Sequence, residues 1–137
     1  METNDIITSP LPLPLREPLL LLIDAHEGRH RWVVSLLAFA NYHVYATGRP
    51  LEAYVWYLEH QMAPQVLLLG QLHAQERFFA QRFWQLMVTR QGKNIPVVSL
   101  ETYFPVAGAR GTPSFSPGAR GDFGLLETLW RLVTRRL

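Results

Sequence analysis

Short blocks of apolar residues alternate along the chain with longer stretches in which apolar residues recur every three or four positions. The clearest block is Leu19–Ile23, five large apolar residues that end at Asp24. Blocks this short and this uniformly apolar are typical of strands buried on both faces of a parallel sheet. The sequence therefore predicts that Leu19–Ile23 is a central strand.

The same pattern predicts further strands at 42–46, 65–70 and 95–100. Between and after them, helical periodicity predicts helices at 28–41, 51–62, 75–90 and from Asp122, the expected N-cap, onward. The core face expected for the second helix consists of Leu51, Tyr54, Val55, Leu58 and Met62. Alternation of this kind implies an α/β protein with a parallel sheet and helices on both faces. We expect a doubly wound, flavodoxin-like sheet of five strands in the order 2-1-3-4-5.

Two segments depart from this regularity. Within residues 1–18, the stretch from Ser9 to Leu15 alternates Pro with Leu, which favours an extended arm ahead of a single domain at 19–137. Residues 102–121 hold three Pro and four Gly, a composition that argues against a stable helix inside the segment. We therefore expect the fourth helix to be shortened or replaced by a loop, with Ser114–Ser116 as a brief edge strand.

Composition narrows the class of protein. The chain has 137 residues, 48% of them hydrophobic and 18% charged, which suits one folded domain. The absence of Cys excludes disulfides and thiol catalysis. With a net charge of only +2, the basic clusters Arg29–Arg31 and Arg135–Arg136 are interpreted as helix-surface charge and not as a nucleic-acid site. No apolar run is long enough for a membrane span and the start is acidic, so we expect a soluble, cytoplasmic protein.

The strand segments resemble a known family. Leu21–Asp24, Asn41–Val44, Pro64–Leu69 and Ile95–Val98 follow in the order and spacing of a bacterial response-regulator receiver domain. This resemblance implies a module of a two-component signalling system. It covers residues 19–100 well and residues 115–137 loosely.

The resemblance also locates the family's phosphorylation site, and the residues there have changed. Family members carry two adjacent acids, an acceptor Asp, a Thr or Ser, and a Lys before Pro. The corresponding positions here are Asp24 and Ala25, Gly70, Glu101 (with Thr102 adjacent), and Ser116. Phosphoryl transfer needs an acceptor, a bound divalent cation and a fixed positive charge. We therefore expect a degenerate receiver with no phosphorylation, no enzymatic activity and no cofactor, whose site lacks the positive charge.

The polar residues at the predicted strand ends leave other interpretations open. Asp24, His26, Glu27, His73 and Glu101 follow strands and can meet at one edge of the sheet. Carboxylate and imidazole suit a metal or small-ligand sensor built on Asp24, His26 and His73. The alternative is a polar rim in which Asp24 and His26 cap backbone N–H groups. A more remote resemblance, carried by Asp24–Gly28, is to the Asp-x-His-x-x-Gly loop of cobalamin-binding domains, although the glycine comes one residue early.

Aromatic residues favour a binding role. Trp32, Trp56, Tyr57, Trp84 and Trp130 lie beside the predicted core faces of their helices, and interfaces concentrate such residues. In the expected fold the first and last helices, which carry Trp32 and Trp130, are neighbours. We expect a homodimer or a protein partner to bind there.

Overall fold

A computed structural model describes residues 19–60, 62–92, 94–107, 114–115 and 117–134. Strands and helices alternate along most of the chain, as the sequence predicts. They are β1 Leu19–Ile23, α1 Glu27–Phe39, β2 His43–Thr47, α2 Pro50–His60, β3 Val66–Leu69, α3 Ala74–Gln91, β4 Val97–Ser99, α4 Leu100–Tyr103, β5 Val106–Ala107, β6 Ser114–Phe115 and α5 Ala119–Thr134. The arm at 1–18, Ser116 and the pair Arg135–Arg136 lie outside the described residues.

The main sheet is parallel and has the order β2-β1-β3-β4. Strand β1 is central, since Leu20–Ile23 pair with β2 on one side and with β3 on the other. All five residues of β1 are buried. The prediction of a central strand at Leu19–Ile23 is confirmed, as are the first four positions of the flavodoxin-like order.

The predicted fifth strand does not extend this sheet. Residues Ser114–Phe115 do form a strand, but they pair antiparallel with Val106–Ala107 in a separate ribbon, here called the β5–β6 ribbon. The two strands are separated by only six residues, 108–113. A connection this short closes an antiparallel hairpin, whereas a parallel strand needs a longer crossover. Within the described residues the parallel sheet therefore has four strands, not five.

Helices cover both faces of the sheet, as predicted. On one face α1 and α5 pack through Val33, Leu37, Leu125 and Leu129 against alternate strand residues. On the other face α2 and α3 pack through Trp56, Tyr57, Phe83 and Met87. Because successive side chains of a strand point to opposite faces, Leu20 and Leu22 belong to the first core and Leu19, Leu21 and Ile23 to the second.

The predicted core face of α2 is wrong for three of its five residues, since only Tyr54 and Met62 pack against the core. Leu51, Val55 and Leu58 are exposed, whereas Ala53, Trp56 and Tyr57 are buried. The Trp56 ring stacks on Tyr45 at 4.6 Å, and Tyr57 contacts Phe83 edge-on. Large rings bury more apolar area than aliphatic side chains, so the aromatic side of the helix faces the sheet and the aliphatic side faces outward.

The segment predicted to lack helix contains parts of two. Helix α4 is a single turn that includes Thr102 and Tyr103, and α5 begins at Ala119, three residues before the predicted N-cap Asp122. A fourth helix that is only shortened is one of the two outcomes the composition predicts. Asp122 instead lies in the first turn of α5.

Two glycines let α5 approach α4 closely. A Cβ at Gly121 would lie 2.3 Å from the carbonyl oxygen of Tyr103 and 2.8 Å from the Phe104 ring. At Gly124 a Cβ would lie 3.1 Å from the Tyr103 ring, and the Tyr103 hydroxyl forms a hydrogen bond of 2.6 Å with the Thr128 hydroxyl.

None of the described helices is both long enough and apolar enough to cross a membrane.

Candidate functional site

Asp24 lies where β1 ends, and its carboxylate is buried. Its Oδ1 accepts hydrogen bonds from the backbone N–H of His26 at 3.0 Å and of Gln71 at 2.9 Å. These bonds connect the end of β1 to the loops that lead into α1 and α3. The carboxylate therefore serves as an acceptor for the surrounding backbone.

Arg29 fills the remaining space beside this carboxylate. Its Nε donates to Oδ2 of Asp24 at 2.7 Å and its Nη2 donates to Oδ1 at 3.1 Å, so the contact is bidentate. Its Nη1 donates to Oε1 of Glu101 at 2.8 Å and to the carbonyl oxygen of Phe104 at 3.0 Å. We call Asp24, Arg29 and Glu101 the charge cluster; it joins β1, α1 and α4.

The cluster corrects two expectations. Arg29 was expected to be surface charge, but its side chain is 0% exposed. The site was also expected to lack a fixed positive charge, and Arg29 supplies one from α1. The signal was present in the sequence, because Arg29 precedes Val33 and Leu37 by four and eight positions and so lies on the buried stripe of α1.

The pKa values of Arg29 and Glu101 are shifted by their contacts in the cluster. Burial by itself would lower the pKa of Arg29, but its hydrogen bonds to Asp24 and Glu101 raise that pKa above its ordinary value. The hydrogen bond from Arg29 lowers the pKa of Glu101, and a second bond from the backbone N–H of Val106 acts in the same direction. Both shifts favour the charged forms, so the cluster is an ion network at neutral pH.

Gly70, which the predicted resemblance places at the acceptor position, lies directly against Asp24. A Cβ there would lie 2.3 Å from Cγ of Asp24 and 2.5 Å from its Oδ1. Its backbone N–H donates to the carbonyl oxygen of Ile23 at 2.8 Å. Any side chain at position 70 would therefore displace the Asp24 carboxylate from its hydrogen bonds.

The other expected ligand-edge residues are only partly brought together. Asp24 and His73 line a polar cleft of about 410 Å³ with Ala25, Glu27 and His30. His26 instead caps α1, since its Nδ1 accepts from the backbone N–H of Arg29 at 3.2 Å. The interpretation of Asp24 and His26 as backbone caps is confirmed.

A metal site has no support in this part of the chain. Among the described residues, no group of three or more His, Asp or Glu side chains is arranged to hold a metal ion. Both oxygens of Asp24 already accept bonds from Arg29, which makes this carboxylate a poor ligand for a cation.

The aromatic residues divide into buried and exposed groups. Trp56 and Tyr57, expected at an interface, are core residues of α2. Trp84 is half-buried and donates its Nε1–H to the carbonyl oxygen of Ile95 at 2.9 Å. Trp32 and Trp130 are exposed, at 37% and 64%.

Trp32 and Trp130 belong to a larger surface. Phe39 on α1 and Phe123 on α5 are also exposed, each seven positions from the tryptophan of its own helix and thus on the same side. The helices are neighbours as predicted, because Nε1 of Trp32 donates to Oδ1 of Asp122 at 2.9 Å. We call Trp32, Phe39, Phe123 and Trp130 the α1–α5 aromatic surface. Neither phenylalanine was predicted from the sequence to lie at an interface.

Comparisons of the chain with protein-family models, with curated proteins and with solved structures give no match. The resemblance to receiver domains therefore stays a prediction.

Proposed function

We propose that this chain is a receiver-like regulatory module of a bacterial, cytoplasmic signalling pathway that acts by protein–protein interaction without phosphorylation. The observation that carries the proposal is the charge cluster, in which Arg29 occupies both oxygens of Asp24. A receiver's site must leave its acids open to a cation and to a phosphoryl group. Here the Asp24 carboxylate is buried and both of its oxygens accept hydrogen bonds from Arg29, so it contributes to the fold instead.

Gly70 supports the proposed absence of phosphorylation. Because Gly70 packs against the Asp24 carboxylate, position 70 offers neither a nucleophile nor space for one. A module without a phosphorylation switch has to exert its effect through a surface that is always presented.

The α1–α5 aromatic surface is the part of the molecule best suited to that role. Exposed Trp and Phe side chains bury large areas on binding and are enriched at the energetic centres of interfaces. The charged neighbours Glu127 and Arg131 pair with each other at 2.7 Å, so the surface offers no unpaired charge at that point. We infer that its partner is a second copy of this chain, which would bring an equally apolar surface.

Self-association is tested by light scattering over a range of concentrations. We expect the wild-type chain to dimerise and the variant Phe123→Gln/Trp130→Gln to be monomeric, because both side chains are exposed and their replacement removes apolar area from the surface without changing the core. Phe78→Gln is the matched control, since Phe78 is 68% exposed on another helix, α3. A monomeric wild-type chain would overturn the homodimer.

A second surface is the alternative site of self-association. Leu51, Val55 and Leu58 form an exposed aliphatic stripe on α2. If Val55→Gln abolished the dimer and Phe123→Gln/Trp130→Gln did not, the assignment to α1 and α5 would be wrong.

The absence of phosphorylation is tested with beryllofluoride and Mg²⁺, which mimic an aspartyl phosphate. We expect no change in melting temperature for the wild-type chain. Gly70→Asp restores the family's acceptor by sequence, yet we expect it to lower stability and to remain unresponsive, because its side chain would collide with Asp24. A magnesium-dependent rise in the wild-type melting temperature would contradict the proposal.

A further inference from the structure

Among the described residues, no helix covers the sheet beside α3, where a full fourth helix would pack. Helix α4 has four residues, and Leu100 and Phe104 at its ends belong to the core on the α1–α5 side. Val97 of β4 pairs in register with Leu67 and remains 47% exposed. Parallel sheets are normally covered on both faces, so this opening is a distinctive feature of the fold.

The opening forms a cleft of about 550 Å³, here called the β4 cleft. The strands contribute Leu67, Leu69 and Val97, and α3 contributes Ala80 and Trp84. The hydrogen bond from Trp84 to the carbonyl oxygen of Ile95 holds the indole in place, and the ring forms one side of the cleft. Sites for small ligands are mostly apolar clefts of roughly 300–1,000 Å³ with a few polar groups, a description that this cleft meets.

The charged groups of the cleft determine what it can bind. Arg77 and Glu101 both line it. Both oxygens of Glu101 already accept hydrogen bonds, one from Arg29 and one from Val106. Within the described residues, Arg77 forms no ion pair with a carboxylate. The cleft therefore combines an apolar interior with an arginine that no described carboxylate pairs. Glu101 remains a negative group of the lining, because it shares Arg29 with Asp24, but neither of its oxygens is without a hydrogen bond.

We propose that the β4 cleft binds a small apolar monocarboxylate. Its hydrocarbon part would cover Leu67, Val97 and the ring of Trp84, and its carboxylate would accept hydrogen bonds from the Arg77 guanidinium. This site shares no residue with the α1–α5 aromatic surface, so the inference goes beyond the proposed function and does not depend on it.

The proposal is tested by calorimetric titration of the whole chain with decanoate below its micelle concentration and with 2-naphthoate. Decyltrimethylammonium carries the same ten-carbon chain with the opposite charge and is the ligand control. We expect at least one carboxylate to bind and the ammonium compound to bind at least tenfold more weakly. Which carboxylate binds tells an aliphatic ligand from an aromatic one.

Two variants test the location, each with a matched control. Arg77→Gln and Val97→Gln each should weaken carboxylate binding about tenfold, a loss of ~1.4 kcal/mol. Arg82→Gln removes an exposed arginine of α3 that does not line the cleft, and Val55→Gln changes a valine of similar exposure, 45%, on α2; neither should alter binding.

Three results would overturn the proposal: neither carboxylate binds, the ammonium compound binds equally well, or the control variants lose as much affinity as the cleft variants. A monomeric chain that binds decanoate through Arg77 would refute the homodimer and leave this inference standing. A dimer that binds neither carboxylate would overturn this inference and leave the homodimer standing.

Discussion

At the scale of single residues, Asp24 shows how a buried carboxylate is held in place. Arg29 and two backbone N–H groups donate hydrogen bonds to its two oxygens. A charge can be buried only if it is paired and hydrogen-bonded, and both partners meet that condition here. Asp24 and Arg29 therefore depend on each other for stability.

The first prediction concerns this dependence. Arg29→Met keeps most of the side-chain volume but leaves the Asp24 carboxylate buried without its cation. We expect a loss of about 3 kcal/mol or more in the free energy of unfolding, measured by urea denaturation. Arg31→Met, two residues away and 75% exposed, should change stability by less than about 0.5 kcal/mol. Equal effects of the two substitutions would show that the buried pair is not a major contributor.

The second prediction concerns pH. The pKa of Glu101 is lowered in the folded chain from its ordinary value of 4.5, so its ion pair stabilises the fold above that pH. The contribution disappears as the pH falls from 4.5 through the folded pKa. Glu101→Gln should therefore be less stable than wild type at pH 7, by about 1 kcal/mol for a half-exposed partner, with the gap closing below pH 4.5.

Urea denaturation of both proteins at several pH values measures this difference. Glu127→Gln is the control, since Glu127 forms an exposed pair with Arg131. A gap between wild type and Glu101→Gln that stayed constant down to pH 3 would contradict the assignment.

At the scale of secondary-structure elements, α2 and α5 each show what periodicity leaves undecided. Apolar residues occur on more than one side of α2, so periodicity alone does not decide which of them face the sheet. In α5, two glycines inside the helix reduce its intrinsic stability. The contact with Tyr103 and Phe104 requires glycine, because any side chain at Gly121 would prevent the close approach of α4 and α5.

The third prediction follows from that contact. Alanine normally stabilises a helix interior relative to glycine by roughly 0.5–1 kcal/mol. Gly121→Ala should instead destabilise the chain by about 1–3 kcal/mol, because its methyl group overlaps the Tyr103 carbonyl and the Phe104 ring. Gly118→Ala, with open space around it, should change the melting temperature little. If Gly121→Ala were more stable than wild type, α4 would be able to move away from α5 without a loss of folding free energy.

At the scale of the whole molecule, two apolar regions face outward on opposite sides of the sheet. The α1–α5 aromatic surface lies on one side and the β4 cleft on the other. If both proposals hold, this arrangement separates self-association from ligand binding. A ligand could then influence the dimer only through the sheet and the charge cluster.

The fourth prediction is at this scale. Association of folded chains stabilises them by mass action, so the melting temperature of the wild-type chain should rise with protein concentration. The Phe123→Gln/Trp130→Gln variant should melt at the same temperature at all concentrations, whereas Phe78→Gln should behave like wild type. Scanning calorimetry over a hundredfold range of concentration makes the comparison.

The sequence by itself determined the alternation of strands and helices, the central position of β1 and the order of the first four strands. Those features depend on local apolar runs and on short connections, which are visible in the chain. It also located Trp32 and Trp130 on neighbouring helices and indicated that Asp24 and His26 cap backbone groups.

Only the tertiary structure decided the features that depend on residues distant in sequence. Arg29 becomes an interior residue because Asp24, Glu101 and the Phe104 carbonyl converge on it, the last two from more than 70 positions away. The same is true of the α2 core face, the glycine contact of α5 and the β4 cleft. Each depends on which neighbour offers the better packing or hydrogen bonds, and that competition is settled only when the whole chain folds.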